Sequence, residues 1–216
     1  MKANLTWIAF VLDESGSMGD IKSDTIGAFN DFIREQKKVE GLADCTLVKF
    51  NTKIEKVYEN RSIQELPMLD ETNYKPSTYT RLYDAIGHTI NQVKSKLNET
   101  VEEEKPEKVL FVILTDGKEN RSTDFNRTEV FEKITKREKK GWAFIYLGAN
   151  QDAMVEGGKI GIQRFNTVTW TEDAKGVKTA FMAANNYTTK YRKAKSAEEY
   201  AGLDLNKEYK EIEKNS

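Results

Sequence analysis

The segment Trp7-Ile8-Ala9-Phe10-Val11-Leu12-Asp13-Glu14-Ser15-Gly16-Ser17-Met18-Gly19 changes character at one residue. Up to Leu12 it is apolar, with no polar alternation. From Asp13 it presents an acid, then two serines at alternate positions, with glycines that permit a tight loop. An unbroken apolar run that stops at turn residues suits a strand covered on both faces, as in the middle of a parallel sheet. Two further runs, Val109–Leu114 and Trp142–Leu147, have the same character.

Working outward, the intervening segments carry a helical period. Ile21, Thr25, Ala28, Phe29, Phe32 and Ile33 fall on one stripe, and Leu82, Ala85, Ile86, Thr89, Ile90, Val93 and Leu97 on another. Val130, Phe131 and Ile134 predict a third helix; Val177, Ala180, Phe181, Ala184, Tyr187 and Tyr191 predict a long last one. One departure is informative. Thr46–Phe50 and Ile54–Tyr58 are separated only by Asn51-Thr52-Lys53, too few residues for a crossover helix, so they form an antiparallel hairpin. A short strand is expected around Asn166–Trp170. The pattern predicts an α/β fold, Rossmann-like and doubly wound, with a mostly parallel sheet of about six strands, one antiparallel edge strand and helices on both faces.

A length of 216 residues suits one sizeable domain and is short for two. Residues 1–194 are assigned to it. Residues 195–216, where Lys and Glu alternate with few apolar anchors, read as an exposed helix or a disordered tail. Lys plus Arg number 34 against 35 Asp plus Glu, which gives no electrostatic case for nucleic acid or an anionic membrane as partner. The lone cysteine, Cys45, excludes an intrachain disulfide. The run Trp7–Leu12 is too short for a signal peptide's apolar region or a membrane span, so a cytoplasmic location is expected.

Ligands in open α/β sheets bind at the carboxyl edge of the strands. Val109–Leu114 ends there in Thr115-Asp116-Gly117, much as the first run ends in Asp13. If the two strands are neighbours, Asp13 and Asp116 lie side by side and repel unless a proton or a cation sits between them. Ser15 and Ser17 add neutral oxygens, a donor set suited to a hard cation such as magnesium. Taken alone, Asp-x-Ser-x-Ser is also an ordinary helix-capping loop.

Asp13-x-Ser15-x-Ser17, a threonine in Thr80-Arg81-Leu82-Tyr83-Asp84-Ala85, and Thr115-Asp116-Gly117 together resemble the metal-ion-dependent adhesion site of von Willebrand factor A domains. Asp24–Asn30, Thr115–Asn120 and Gly141–Asn150 are similar to stand-alone A domains of bacteria and their phages, and the likeness runs from about Trp7 to Arg192. The resemblance implies that Ser15, Ser17 and Thr80 bind an ion directly or nearly so, and that Asp13 and Asp116 bind it directly or through water. The ion would be Mg2+, with Mn2+ or Ca2+ as alternatives. An open coordination position would accept an Asp or Glu from a protein partner. One departure concerns the loop before Thr80: the family often has glycine two residues earlier, where this chain has Thr78, so a different loop path is expected.

Other residues have plainer readings. Asp84, at a helix start, suits a structural cap. Asn120, Arg121 and Asp124 suit a solvated loop. His88 has no nucleophile nearby in sequence, and Cys45 suits a buried small hydrophobe. Trp170, Tyr187 and Tyr191 suit core packing. No phosphate-binding glycine loop, nucleophile elbow or zinc knuckle is present. The expected function is therefore a metal-dependent protein-binding module, monomeric and not an enzyme. The alternatives are a magnesium-dependent phosphoryl hydrolase, for which only Arg81 and Lys118 lie in the ligand loops as cations, or a regulatory subunit acting in trans with an ATPase or a stress or defence system.

Overall fold

The first apolar run becomes the centre of the sheet. In the computed structural model, which describes residues 1–150 and 153–215, β1 (Lys2–Asp13) pairs in parallel with β2 (Leu42–Phe50) on one side and β4 (Pro106–Thr115) on the other. Beyond β2 lies β3 (Ile54–Ser62), antiparallel; beyond β4 lie β5 (Ala143–Ala149) and β6 (Thr167–Trp170), both parallel. The order is β3-β2-β1-β4-β5-β6. The chain therefore leaves β1 in one direction and returns to its other side through β4, which makes the β1–β4 carboxyl edge the topological switch point.

The period of two divides β1 between two cores. Ile8, Phe10 and Leu12 face α1 (Lys22–Lys38) and α5 (Ala174–Lys193), where Phe10 meets Phe29 and Phe32 edge to face at 5.2 and 4.9 Å. Trp7, Ala9 and Val11 face α2 (Leu82–Glu99), α3 (Arg127–Glu138) and α4 (Ala153–Lys159). Both faces are covered, which is why the run carries no polar alternation. Trp170, Tyr187 and Tyr191 are buried in the first of these cores, as expected.

The C-terminal segment differs from the expected exposed helix or disordered tail. It folds into α6 (Ala197–Ala201) and α7 (Leu205–Lys214), and α7 docks on the core that contains α5. Leu205 and Tyr209 are buried, and Ile212 is partly buried against the same core. These three residues stand at i, i+4 and i+7, an apolar stripe among the Lys and Glu that gives the helix one face to bury. The Asp204 carboxylate caps α7 by accepting the Lys207 N–H at 2.9 Å. Glu208 pairs with Lys190 of α5.

Candidate metal centre

Strand pairing brings the site together. Leu12 is opposite Leu114, so Asp13 and the Thr115-Asp116 pair leave the sheet side by side. After Asp13 the chain makes a single 3-10 turn, Gly16–Gly19, held down by the buried side chain of Met18. Asp13 is fully buried. Its Oδ1 accepts the Ser15 N–H at 2.7 Å, and its Oδ2 accepts the Thr115 hydroxyl at 2.5 Å. Ser17 Oγ donates to Asp116 Oδ1 at 2.7 Å, so the Ser15 hydroxyl is the donor in the 3.2 Å contact between the two serines.

The other carboxylate oxygen, Asp116 Oδ2, is buried and has no hydrogen-bond partner among the described residues. A buried acceptor left unmade is costly, which marks this atom as waiting for a ligand or a proton. The buried Thr80 approaches from the loop before α2. A Cβ placed on Gly117 would come within 2.9 Å of Thr80 Oγ1 and 3.7 Å of Ser15 Oγ. Both hydroxyls therefore converge on a gap that the missing side chain of Gly117 keeps clear. The structure thus brings together all five residues picked out by sequence: Asp13, Ser15, Ser17, Thr80 and Asp116. No group of three or more His, Cys, Asp or Glu side chains suited to a metal occurs among the described residues, so the donors here are two carboxylates and three hydroxyls. Such all-oxygen donors are the kind a hard divalent cation takes.

Electrostatics follow from this crowding. Asp13 is raised from the ordinary 3.8 to about 6, chiefly by burial, with the hydrogen bonds from Thr115 and Ser15 opposing. Asp116 is raised to about 7 by burial and then by the charge of Asp13. Between pH 4 and 7 the folded chain holds protons that the unfolded chain has released. Stability of the chelator-stripped protein is therefore expected to fall as pH rises through that window, by ~3 kcal/mol. Denaturant titrations in EDTA at the two ends of the window check this; equal stability at both contradicts it.

The loops around the site are fastened by residues that the sequence reading passed over or gave plainer roles. Tyr74, fully buried, donates its hydroxyl to the Asp13 carbonyl at 2.6 Å. Glu14 pairs with buried Lys49 at 2.9 Å and accepts the Lys75 N–H at 2.6 Å, tying the loop before Thr80 to the end of β1. Asn120 is not merely a solvated loop residue. Its Oδ1 accepts the Thr80 N–H at 3.0 Å, and its own N–H donates to the Thr80 carbonyl at 3.2 Å. Asp124 likewise holds His88 at 2.8 Å. Asp84 does more than cap a helix. Fully buried, it accepts the backbone N–H groups of Thr123, Asp124 and Phe125 at 2.8–2.9 Å, together with the Arg81 guanidinium. Glu14 and Tyr74 left a faint signal in sequence, an acid beside Asp13 and an aromatic in a polar loop. Asp84, Asn120 and Asp124 stood out by position, but nothing local showed the bonds they make.

The loop before Thr80 is strained at Thr78. Its φ is +62°, the left-handed region natural to glycine and unfavourable for a β-branched residue. The threonine therefore sits in a conformation natural to glycine and bears the strain, with its hydroxyl 2.9 Å from that of Thr52. Thr78→Gly is expected to stabilise the fold by ~0.5–1 kcal/mol and Thr78→Val to destabilise it, as read from denaturation midpoints. The reverse order would contradict this account of the loop.

The sequence model of the von Willebrand factor type A domain matches residues 8–182, most of the chain. The chain belongs to the von Willebrand factor type A family. No curated protein matches this A domain in sequence. Its fold is similar to that of proximal thread matrix protein 1 from the mussel byssus, in a structure with a zinc-occupied MIDAS motif, at 16% identity and TM-score 0.58. That match covers 85% of this chain and 46% of the mussel chain, so the A domain spans less than half that protein's length. The manganese-loaded TRAP protein of Plasmodium vivax is similar at 16% identity and TM-score 0.56, over 80% of this chain and 70% of that one. The vWF domain of the pilus tip protein Mfa5 from Porphyromonas gingivalis gives TM-score 0.61 at 9% identity, over 89% and 97%. At these identities the likeness is one of fold.

Proposed function

We propose that this A domain holds a divalent cation, magnesium first, through Asp13, Ser15, Ser17, Thr80 and Asp116, and uses it to bind an Asp or Glu of a protein partner. The observation that carries the reading is the buried, unpartnered Asp116 Oδ2 beside Asp13 and three converging hydroxyls. Two carboxylates held at raised proton affinity by burial, with the Asp13 charge adding to that of Asp116, are relieved by a cation between them. Oxygen-only donors favour magnesium, with manganese and calcium as the alternatives, whereas zinc prefers nitrogen and sulfur. The zinc-occupied mussel protein and the manganese-loaded TRAP protein support a metal at this edge of the fold. When bound, the ion supplies a Lewis-acid position that a partner carboxylate can complete.

The hydrolase reading is left with the exposed Lys118 as the one ligand-loop cation not held by an acid among the described residues. Arg81 is engaged by Asp84, Thr123 and the Thr52 carbonyl. His88 is held on Asp124. The site's own residues therefore hold and orient; none is placed as nucleophile or general base. The test is water-proton relaxation of the manganese-loaded protein. A short peptide carrying one Asp is expected to displace metal-bound water and lower the enhancement, while its Asn counterpart leaves it unchanged. Equal behaviour of the two peptides contradicts the carboxylate reading.

A further inference from the structure

The opposite edge of the sheet, where the strands begin, carries a cavity of about 480 Å³ at the ends of α2 and α3. Its lining includes Lys94, Lys105, Lys108, Arg137 and Lys140 against only two acids. Both acids are engaged: Glu102 pairs with Lys105 at 2.8 Å, and Glu107 accepts the Asn4 N–H at 2.8 Å. Lys94, Lys108, Arg137 and Lys140 have no ion-pair partner among the described residues.

Arg137 is the informative one. It is only 8% exposed, and its guanidinium lies 5.3 Å from the Trp142 ring, yet it donates no hydrogen bond among the described residues. No Arg137 nitrogen is among the buried atoms left without a partner, so its donors reach solvent along the cavity, where an anion could take them up. Its place near the C-terminal end of α3 favours positive charge through the helix dipole, but it bonds none of the helix carbonyls, so capping does not account for it. Arg137 also lines a neighbouring cavity that contains Glu129 and Glu132, and neither acid pairs with it. Lys108, 4% exposed, reaches the same edge, where its ammonium donates to the Arg192 and Ala194 carbonyls and feels the charges of Glu107 and Glu199.

We propose that this cavity is a binding site for a small diphosphate-bearing anion, with Arg137 as its buried anchor and Lys94 and Lys140 at its mouth. Arg137, Lys94 and Lys140, without an ion-pair partner among the described residues, together call for more than a single negative charge, and the guanidinium fork matches phosphate oxygens bidentately. Trp142 is stacked on Phe111 at 5.6 Å on one side and carries Arg137 as well, so the ring serves to orient the guanidinium rather than to receive a base.

The test is calorimetric titration of inorganic pyrophosphate into the full chain in EDTA, which leaves the proposed metal centre out of the measurement. Wild-type protein is expected to bind. Arg137→Gln is expected to weaken binding by about tenfold or more, the loss of a charged hydrogen-bonding group. The surface variant Lys94→Ala/Lys140→Ala, which touches no core residue, is expected to weaken it by about tenfold and to flatten its salt dependence. Asp116→Ala is expected to bind as wild type. ADP in a parallel titration distinguishes the source: tighter binding than pyrophosphate indicates a nucleotide, equal binding a diphosphate recognised alone. No binding by wild type, unchanged binding by either folded cation variant, or loss of binding in Asp116→Ala overturns the proposal.

Discussion

Asp13→Asn is expected to raise the melting temperature of the chelator-stripped protein while abolishing its response to magnesium. The substitution is nearly isosteric. Asn Oδ1 can accept the Ser15 N–H as Asp13 Oδ1 does, and its amide can donate to Thr115 Oγ1. The threonine hydroxyl is then free to donate to the Gly117 carbonyl, already 3.0 Å away. What changes is charge. The variant removes a fully buried carboxylate and relieves the neighbouring Asp116, whose pKa the Asp13 charge helps to raise. Above pH 7 the gain is expected to be about 2 kcal/mol, or roughly 4–8 °C for a domain of this size. Magnesium affinity is expected to fall by more than about 100-fold, because the ion loses one of its two charged neighbours. Thermal melts with EDTA and with magnesium read both effects. A variant that melts lower in EDTA, or that magnesium still stabilises as it does wild type, contradicts the account.

Asp84→Ala is expected to be the most damaging single change near the site without touching a proposed ligand. The carboxylate gathers three consecutive backbone N–H groups and the Arg81 guanidinium, with no exposure to solvent. Truncation leaves those donors and the arginine charge without an acceptor, which costs ~3–5 kcal/mol. The loop it holds, Thr123–Phe125, begins three residues after Asn120, which clamps the Thr80 backbone. Magnesium binding is therefore expected to weaken together with stability, whereas substitution of an exposed acid such as Glu103 leaves both unchanged. Urea midpoints and magnesium titrations of the two variants decide this. A midpoint for Asp84→Ala close to wild type would show that the loop is held by something else.

Much of this architecture was legible because burial on both faces writes itself into sequence. Trp7–Leu12, Val109–Leu114 and Trp142–Leu147 are strands for that reason, and the brevity of Asn51-Thr52-Lys53 gave the antiparallel hairpin. Asp13, Ser15, Ser17 and Asp116 were legible at two strand ends that β1–β4 pairing brings together, whereas Thr80 was picked out only through the family resemblance. What stayed hidden depends on long-range bonds. Asp84 meets residues about 40 positions away, and Asn120 meets Thr80 at the same separation, so no local pattern announces either. The docking of α7 was hidden differently: Leu205, Tyr209 and Ile212 keep helical spacing, but the surrounding lysines and glutamates mask three anchors. At Thr78 the residue type hides the backbone, because a threonine occupies a left-handed position natural to glycine.

The most direct test of the central claim is isothermal titration of magnesium into chelator-stripped protein, wild type beside Asp116→Ala. The account predicts saturable binding by the wild type and none by the variant, because Asp116 Oδ2 is the buried acceptor left without a partner. Binding of equal affinity in both, or no binding in the wild type, would contradict it.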